Sequence, residues 1–170
     1  IDHPRTTPMS DNTALIYRTF GAPESVLSLQ RVEAEELAAD RVRVAMALSP
    51  VNASDLIPIT GAYRHRITLP AIAGYEGVGT VVQAPPQAAH LLGKRVLPLR
   101  GQGTWQRLVD CPAAFTVPVP DDISDTLAAR AYINPLAALL MLNLYPPAGK
   151  HVLITAAGSD CAALLGQWAD

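Results

Sequence analysis

Cysteine is scarce in this chain: two among 170 residues, Cys111 and Cys161. Two thiols cannot build a disulfide framework or a four-thiolate zinc site. Both are read as reduced, small core residues in a reducing compartment. Aromatic residues make up only 5%, so the core must be aliphatic. Charged residues are 16% with a net charge of −2, which leaves no basic footprint for nucleic acid. No apolar run approaches the roughly 18 residues of a membrane-spanning helix, so no membrane partner is expected. The histidines, His3, His65, His90 and His151, show no metal-ligand spacing. Residues 1–8, ahead of Met9, lack a signal-peptide core and read as a vector-derived leader. The expected location is therefore cytoplasmic.

What is present is apolar residues, 49% of the chain, and fifteen scattered prolines. That mixture fits strands and loops better than a helix bundle. The length allows one good domain and part of another. Residues 13–20 are β-rich, and residues 26–33 and 41–49 alternate apolar with polar side chains. Further strands are expected over 77–83, 90–99, 101–110 and 115–120, with a Gly-rich turn at Gly101–Gly103. So many short strands point to a small barrel or sandwich. After Ser124 the period changes. A short helix is expected over 125–130. A stronger one follows with Asn134 as N-cap and Pro135 as first helical residue, running to Leu144 before Pro146 and Pro147. His151 to Thr155 reads as a buried-type parallel strand, followed by a small-residue turn and a helix through Trp168.

One stretch carries most of the chemistry: Val51-Asn-Ala-Ser-Asp-Leu-Ile-Pro-Ile-Thr-Gly-Ala-Tyr63, then Leu69-Pro-Ala-Ile-Ala-Gly-Tyr-Glu-Gly-Val-Gly79. Asn52, Ser54 and Asp55 suit a turn or helix start, with Asp55 as a cap for Leu56 and Ile57. Gly61 permits a tight turn just before Tyr63. Gly74, Gly77 and Gly79 let the backbone pass close to another strand or a flat ligand.

These motifs resemble the medium-chain dehydrogenase/reductase superfamily, and within it the zinc-free branch of 2-enoyl thioester reductases and quinone reductases. The resemblance implies a mostly β, GroES-like partial barrel, followed by a helix and the first βα unit of a truncated Rossmann domain. The implied boundaries are 9–123 for the GroES-like catalytic domain, 124–150 for linking helices and 151–170 for the start of the dinucleotide-binding domain. Zinc-dependent relatives place Cys and His where this chain has Asn52 and Tyr75; only Glu76 matches. No bound metal is expected.

The resemblance then implies hydride transfer from NADPH to the C=C bond of a 2-enoyl thioester. Charge builds on the thioester oxygen, and the α carbon needs a proton. The family's catalytic Tyr falls on Tyr63, whose hydroxyl could stabilise the enolate or deliver that proton. Asn52 and Asp55 could face the nicotinamide pocket, Asn134 matches an Asn-Pro step beside the cofactor, and Gly158, Ser159, Asp160 and Cys161 match the phosphate loop. Each also has a plain reading: a turn bond for Asn52, an N-cap for Asn134. Asp55 is read as a turn residue and Trp105, in the Gly103-Thr-Trp motif, as packing. Relatives carry glycine at Asp160 and Ala162, and a carboxylate near a helix start repels pyrophosphate. Arg64, His65 and Arg66 could meet a coenzyme A or pantetheine phosphate, or form a solvated loop. The implied partners are a small-molecule or acyl-thioester substrate and, for the parent, a second copy in a homodimer. As a fragment the chain is expected to be inactive. Two alternatives stand beside this reading: a quinone reductase, and a non-catalytic scaffold that has lost cofactor binding.

Overall fold

The computed structural model describes residues 11–99 and 103–169. The expected leader, and the Gly101 and Gln102 portion of the Gly-rich turn, lie outside the described residues. Two compact units divide the chain, Ile1–Ala129 and Arg130–Asp170.

The first unit is built on two antiparallel sheets. β1 (Asp11–Tyr17) pairs with β2 (Ser28–Glu33) and with the short β4 (Ala71–Ile72), in the order β2-β1-β4. Between β1 and β2 the chain takes one helical turn, α1 (Pro23–Val26), because Pro23 is preset for a first helical position. The larger sheet runs β7-β3-β5-β6-β8. Its strands are β3 (Arg41–Leu48), β5 (Val78–Gln83), β6 (Arg95–Pro98), β7 (Leu108–Pro112) and β8 (Thr116–Pro118).

Alternation decides which side chains go inside. Val42 and Val44 of β3, Val81 of β5 and Val96 of β6 meet in one aliphatic cluster with Ala88 and Leu91. Each fully buried valine contributes about 1.5–3 kcal/mol over an exposed one. A second cluster joins Tyr17, Ile59, Ala71 and Ala73, with Phe20 and Trp105 against it. Arg43 is the exception on β3. It is buried, and its guanidinium is paired with Asp110 of β7.

Two glycines explain how the sheets close. A Cβ at Gly79 would collide with the Ala45 carbonyl oxygen across the β3–β5 pair, and one at Gly74 would strike the Trp105 ring. The close passage expected of these glycines is therefore against this chain's own backbone and side chains.

The first unit extends past residue 123. α3 (Asp125–Ala128), capped by the Ser124 hydroxyl, buries Ala128 and Ala129 against Val78. Arg95 of β6 holds Asp125 at 2.9 Å.

In the second unit α4 (Ile133–Leu144) and α5 (Asp160–Trp168) pack together. Two expectations are corrected here. Asn134 is not the N-cap: the helix starts at Ile133 with Tyr132 before it, so Asn134 lies inside the first turn. Pro135 is tolerated there because a first-turn residue needs no N–H for the helix. Residues 151–155 do not form a strand, and Val152 and Leu153 are exposed. A buried parallel strand takes its ladder bonds and its cover from neighbours on both edges, and the described residues of this unit supply only α4 and α5. Cys111 is buried as expected, whereas Cys161 is only partly covered.

Candidate active site

The turn that carries Tyr63 starts with a reciprocal cap. α2 (Ala53–Leu56) follows Asn52, whose extended backbone marks it as the N-cap. Asp55 is three residues on, and its Oδ2 accepts the Asn52 backbone N–H at 2.7 Å. So Asp55 caps by reaching backwards from inside the turn, not by standing before Leu56. The Asn52 side chain turns the other way: Nδ2 donates to Glu76 Oε1 at 2.7 Å. Asp55 and Glu76, at 1% and 2% exposed, are thus two buried carboxylates joined through one asparagine.

Burial pushes the Asp55 carboxyl above the usual carboxylate range. The Asn52 N–H opposes the shift, the nearby Glu76 charge adds to it, and the Tyr75 N–H also favours the charged form. Asp55 Oδ1 nevertheless completes no hydrogen bond of good geometry among the described residues. Burial likewise raises the Tyr75 phenol, with the Asp55 charge as a second cause. Tyr17, buried beneath, is raised by burial and then by Tyr75.

From Asn52 the chain advances by successive turns. Ile57 N–H bonds to Ala53 O, Ile59 to Leu56 O and Gly61 to Pro58 O. Ile59 is fully buried in the second core cluster and fastens the middle of the ribbon. Gly61 then adopts φ +93°, where a side chain would be strained. Tyr63 follows at the head of a single 3₁₀ turn, Arg64–Arg66. The residue is 47% exposed. Among the described residues the Tyr63 hydroxyl makes no hydrogen bond. The site therefore presents a phenol free to donate or accept on a backbone held at its base, its middle and its turn.

Trp105 is a packing residue. Its Nε1 donates to Pro50 O at 3.0 Å and its ring packs on the second cluster. Gly103 at φ +69° sets the bend before it.

The remaining candidates lie in the second unit. Ser159 is the N-cap of α5, its hydroxyl accepting the Ala162 N–H at 3.2 Å. Asp160 Oδ2 meets Arg130 Nη1 at 3.0 Å, both groups being well exposed. Gly158 faces open space, with no atom within 4 Å of a Cβ built there. The first-turn N–H groups of Asp160 and Cys161 have no partner among the described residues. Tyr63 and Asn52 belong to one compact unit, and Asn134 and Gly158 to Cys161 to the other.

Sequence reading missed two relationships. Tyr75 weighed only as a missing histidine, yet its ring is half exposed beside Asp55. The Asn52–Glu76 contact spans 24 residues and has no local signal; the Asn-x-x-Asp spacing of Asn52 and Asp55 signals the cap but not the partner of the amide.

Comparison with known proteins follows the same geography. Residues 38–121 match the alcohol dehydrogenase GroES-like domain. The mitochondrial enoyl-[acyl-carrier-protein] reductase of Xenopus tropicalis is 36% identical over 131 residues, covering 76% of this chain and 37% of that protein. The crystal structure of a candidate NADPH:quinone reductase from Bacillus thuringiensis superposes with a TM-score of 0.83 at 43% identity, covering 92% of this chain and 48% of the other. The complex of Etr1p with NADP and crotonyl-CoA superposes with a TM-score of 0.74 at 25% identity, over 94% of this chain and 51% of that one. The chain thus spans about half the length of these solved structures and 37% of the curated relative.

Proposed function

Because this chain belongs to the medium-chain dehydrogenase/reductase superfamily through its GroES-like domain, we propose that it is part of an oxidoreductase that reduces the C=C bond of a 2-enoyl thioester with NADPH. The observation that carries the reading is Tyr63, half exposed and fixed in backbone, its phenol without a hydrogen-bond partner among the described residues. NADPH, when bound, would supply the hydride that the β carbon takes up. Tyr63 then serves the other end of the double bond. Its O–H donates toward the thioester oxygen as enolate charge develops, or passes a proton to the α carbon. The enoyl reductases among the relatives and the crotonyl-CoA complex of Etr1p support this substrate class.

The phosphate end fits a dinucleotide. Gly158 leaves room for a close approach, and the open N–H groups of Asp160 and Cys161 suit a pyrophosphate oxygen. Arg130 offsets the Asp160 charge that would repel it. This pairing bears against one of the two grounds of the scaffold alternative, the Asp160 charge; the other is Ala162 in place of a glycine. In the first unit, an Asn52 amide donating to the Glu76 carboxylate is a hydrogen-bonded pair, not a set of ligands converging on a cation. It supports a reduction that proceeds without a metal.

The test is Tyr63→Phe in the complete protein, assayed with NADPH and a crotonyl-type thioester. Loss of a general acid lowers turnover by about a hundredfold or more; unchanged turnover removes Tyr63 from the chemistry. The likeness to the Bacillus thuringiensis protein favours a second reading, reduction of quinones. Quinone turnover that exceeds thioester turnover and survives Tyr63→Phe would select it.

A further inference from the structure

Arg64 is exposed together with His65 and Arg66, as a solvated loop would have it, but its side chain is tied to the bend before it. Its backbone N–H and its side-chain Nε both donate to Gly61 O, each at 3.2 Å. Its guanidinium carbon then lies over the Phe20 ring, 5.9 Å from the centroid. Phe20 packs on the second core cluster, its ring tilted against Tyr17 at 6.3 Å. Gly61 leaves little space for a side chain at that point: a Cβ would stand 3.1 Å from Phe20 Cβ and 3.3 Å from Arg64 Nη2. So the carbonyl before the bend, the residue after it and a core aromatic are stapled by one side chain. Tyr63 lies inside the staple and takes no part in it.

We propose that Arg64 is a positioning residue for Tyr63, acting through Gly61 O and the face of Phe20. The inference rests on the reading of Tyr63 given above. A phenol that must meet a developing charge gains from a backbone that does not shift, because misplacement by about 1 Å can cost on the order of a hundredfold in rate. Ile59 fastens the ribbon two residues before Gly61, and Arg64 fastens it one residue after Tyr63. Without the Arg64 side chain, the fastening after Tyr63 would fall to the Arg66 N–H on Tyr63 O and to Ile67, which packs on the same cluster four residues on. Arginine suits the role because its charged head lies over the aromatic face while Nε still donates; a lysine ammonium keeps the charge but loses the Nε–H.

The experiment has two readouts. In the chain carrying ring-¹³C tyrosine, the Tyr63 signal is identified by its loss in Tyr63→Phe. Arg64→Gln is expected to move and broaden that signal while those of Tyr75, Tyr132 and Tyr145 stay in place. Phe20→Leu, which keeps the apolar contact but removes the ring face, is expected to move it the same way, with Tyr17 shifting as well. Arg64→Lys is expected to be intermediate. A Tyr63 signal indifferent to Arg64→Gln overturns the proposal, as does one that moves only together with every other tyrosine. In the complete protein, Arg64→Gln is expected to lower kcat about tenfold, with KM for NADPH within about twofold. If Tyr63→Phe leaves turnover intact while Arg64→Gln still moves the Tyr63 signal, the catalytic reading fails and the staple stands.

Discussion

Arg43 of β3 and Asp110 of β7 face each other across the strand pair and close a two-pronged contact, Nε to Oδ1 at 2.7 Å and Nη2 to Oδ2 at 2.8 Å. The arginine side chain is 7% exposed and its carboxylate partner 30%. Arg43 also donates to Glu35 O at 2.6 Å, tying the link before β3 to the sheet. Removing the fork leaves a carboxylate that water can reach and a carbonyl that loses its donor. Arg43→Ala is expected to lower the unfolding free energy by about 1–3 kcal/mol. Arg43→Lys should recover only part of that, since one ammonium cannot serve both oxygens. Urea denaturation of the two variants beside the parent chain checks both statements; a full recovery with lysine would show that charge alone suffices.

Asp55 gives the fold a pH dependence of definite sign. Burial holds its carboxyl above the ordinary value, so over the interval between the two values the folded chain keeps a proton that the unfolded chain has released. Stability from this group is greatest below the ordinary value and falls as pH climbs through the interval. Asp55→Asn removes the titration and keeps an oxygen for the Asn52 N–H. Unfolding free energies measured from about pH 4 upward should therefore decline less steeply in Asp55→Asn. Parallel slopes would assign the dependence to other groups.

Two glycines should respond differently to alanine. At Gly79 the new methyl would run into the Ala45 carbonyl of the neighbouring strand. Overpacking of this kind costs about 1–3 kcal/mol. At Gly93 the methyl would find open space, and only the left-handed backbone, φ +74°, resists it. That costs about 1–2 kcal/mol. Thermal unfolding ranks the two; a Gly93→Ala loss as large as that of Gly79→Ala would mean that space is not the deciding factor.

The two thiols should separate in reactivity. Cys111 is fully buried, with its Sγ near Pro112 O and Phe115 O. Cys161 is partly exposed at the start of α5. Titration of the native chain with an aromatic disulfide reagent should register Cys161 promptly and Cys111 only after denaturant is added. Cys161→Ser should abolish the prompt phase.

How far the residues themselves foretold this arrangement depended on how local the cause was. The alternation over 41–49 located β3, observed at Arg41–Leu48, because which face is buried sets the register of a strand. The glycines at 74 and 79 announced close approaches without saying to what. α4 ends at Leu144 as its pattern predicts, but it begins one residue before Asn134, since several first-turn residues can share the work of starting a helix. Tyr63, Asn52 and Ser159 were marked by short motifs and stand where backbone turns place them. The contacts that fix them were not legible. Glu76 under Asn52 and Phe20 under Arg64 are brought in by the packing of separate elements, and no periodicity encodes them.

Residues 151–155 have a practical consequence. Their peptide groups find no ladder among the described residues, and Leu153 is 90% exposed. Such a stretch is a template for any extended segment that drifts past, its own twin in a neighbouring molecule included.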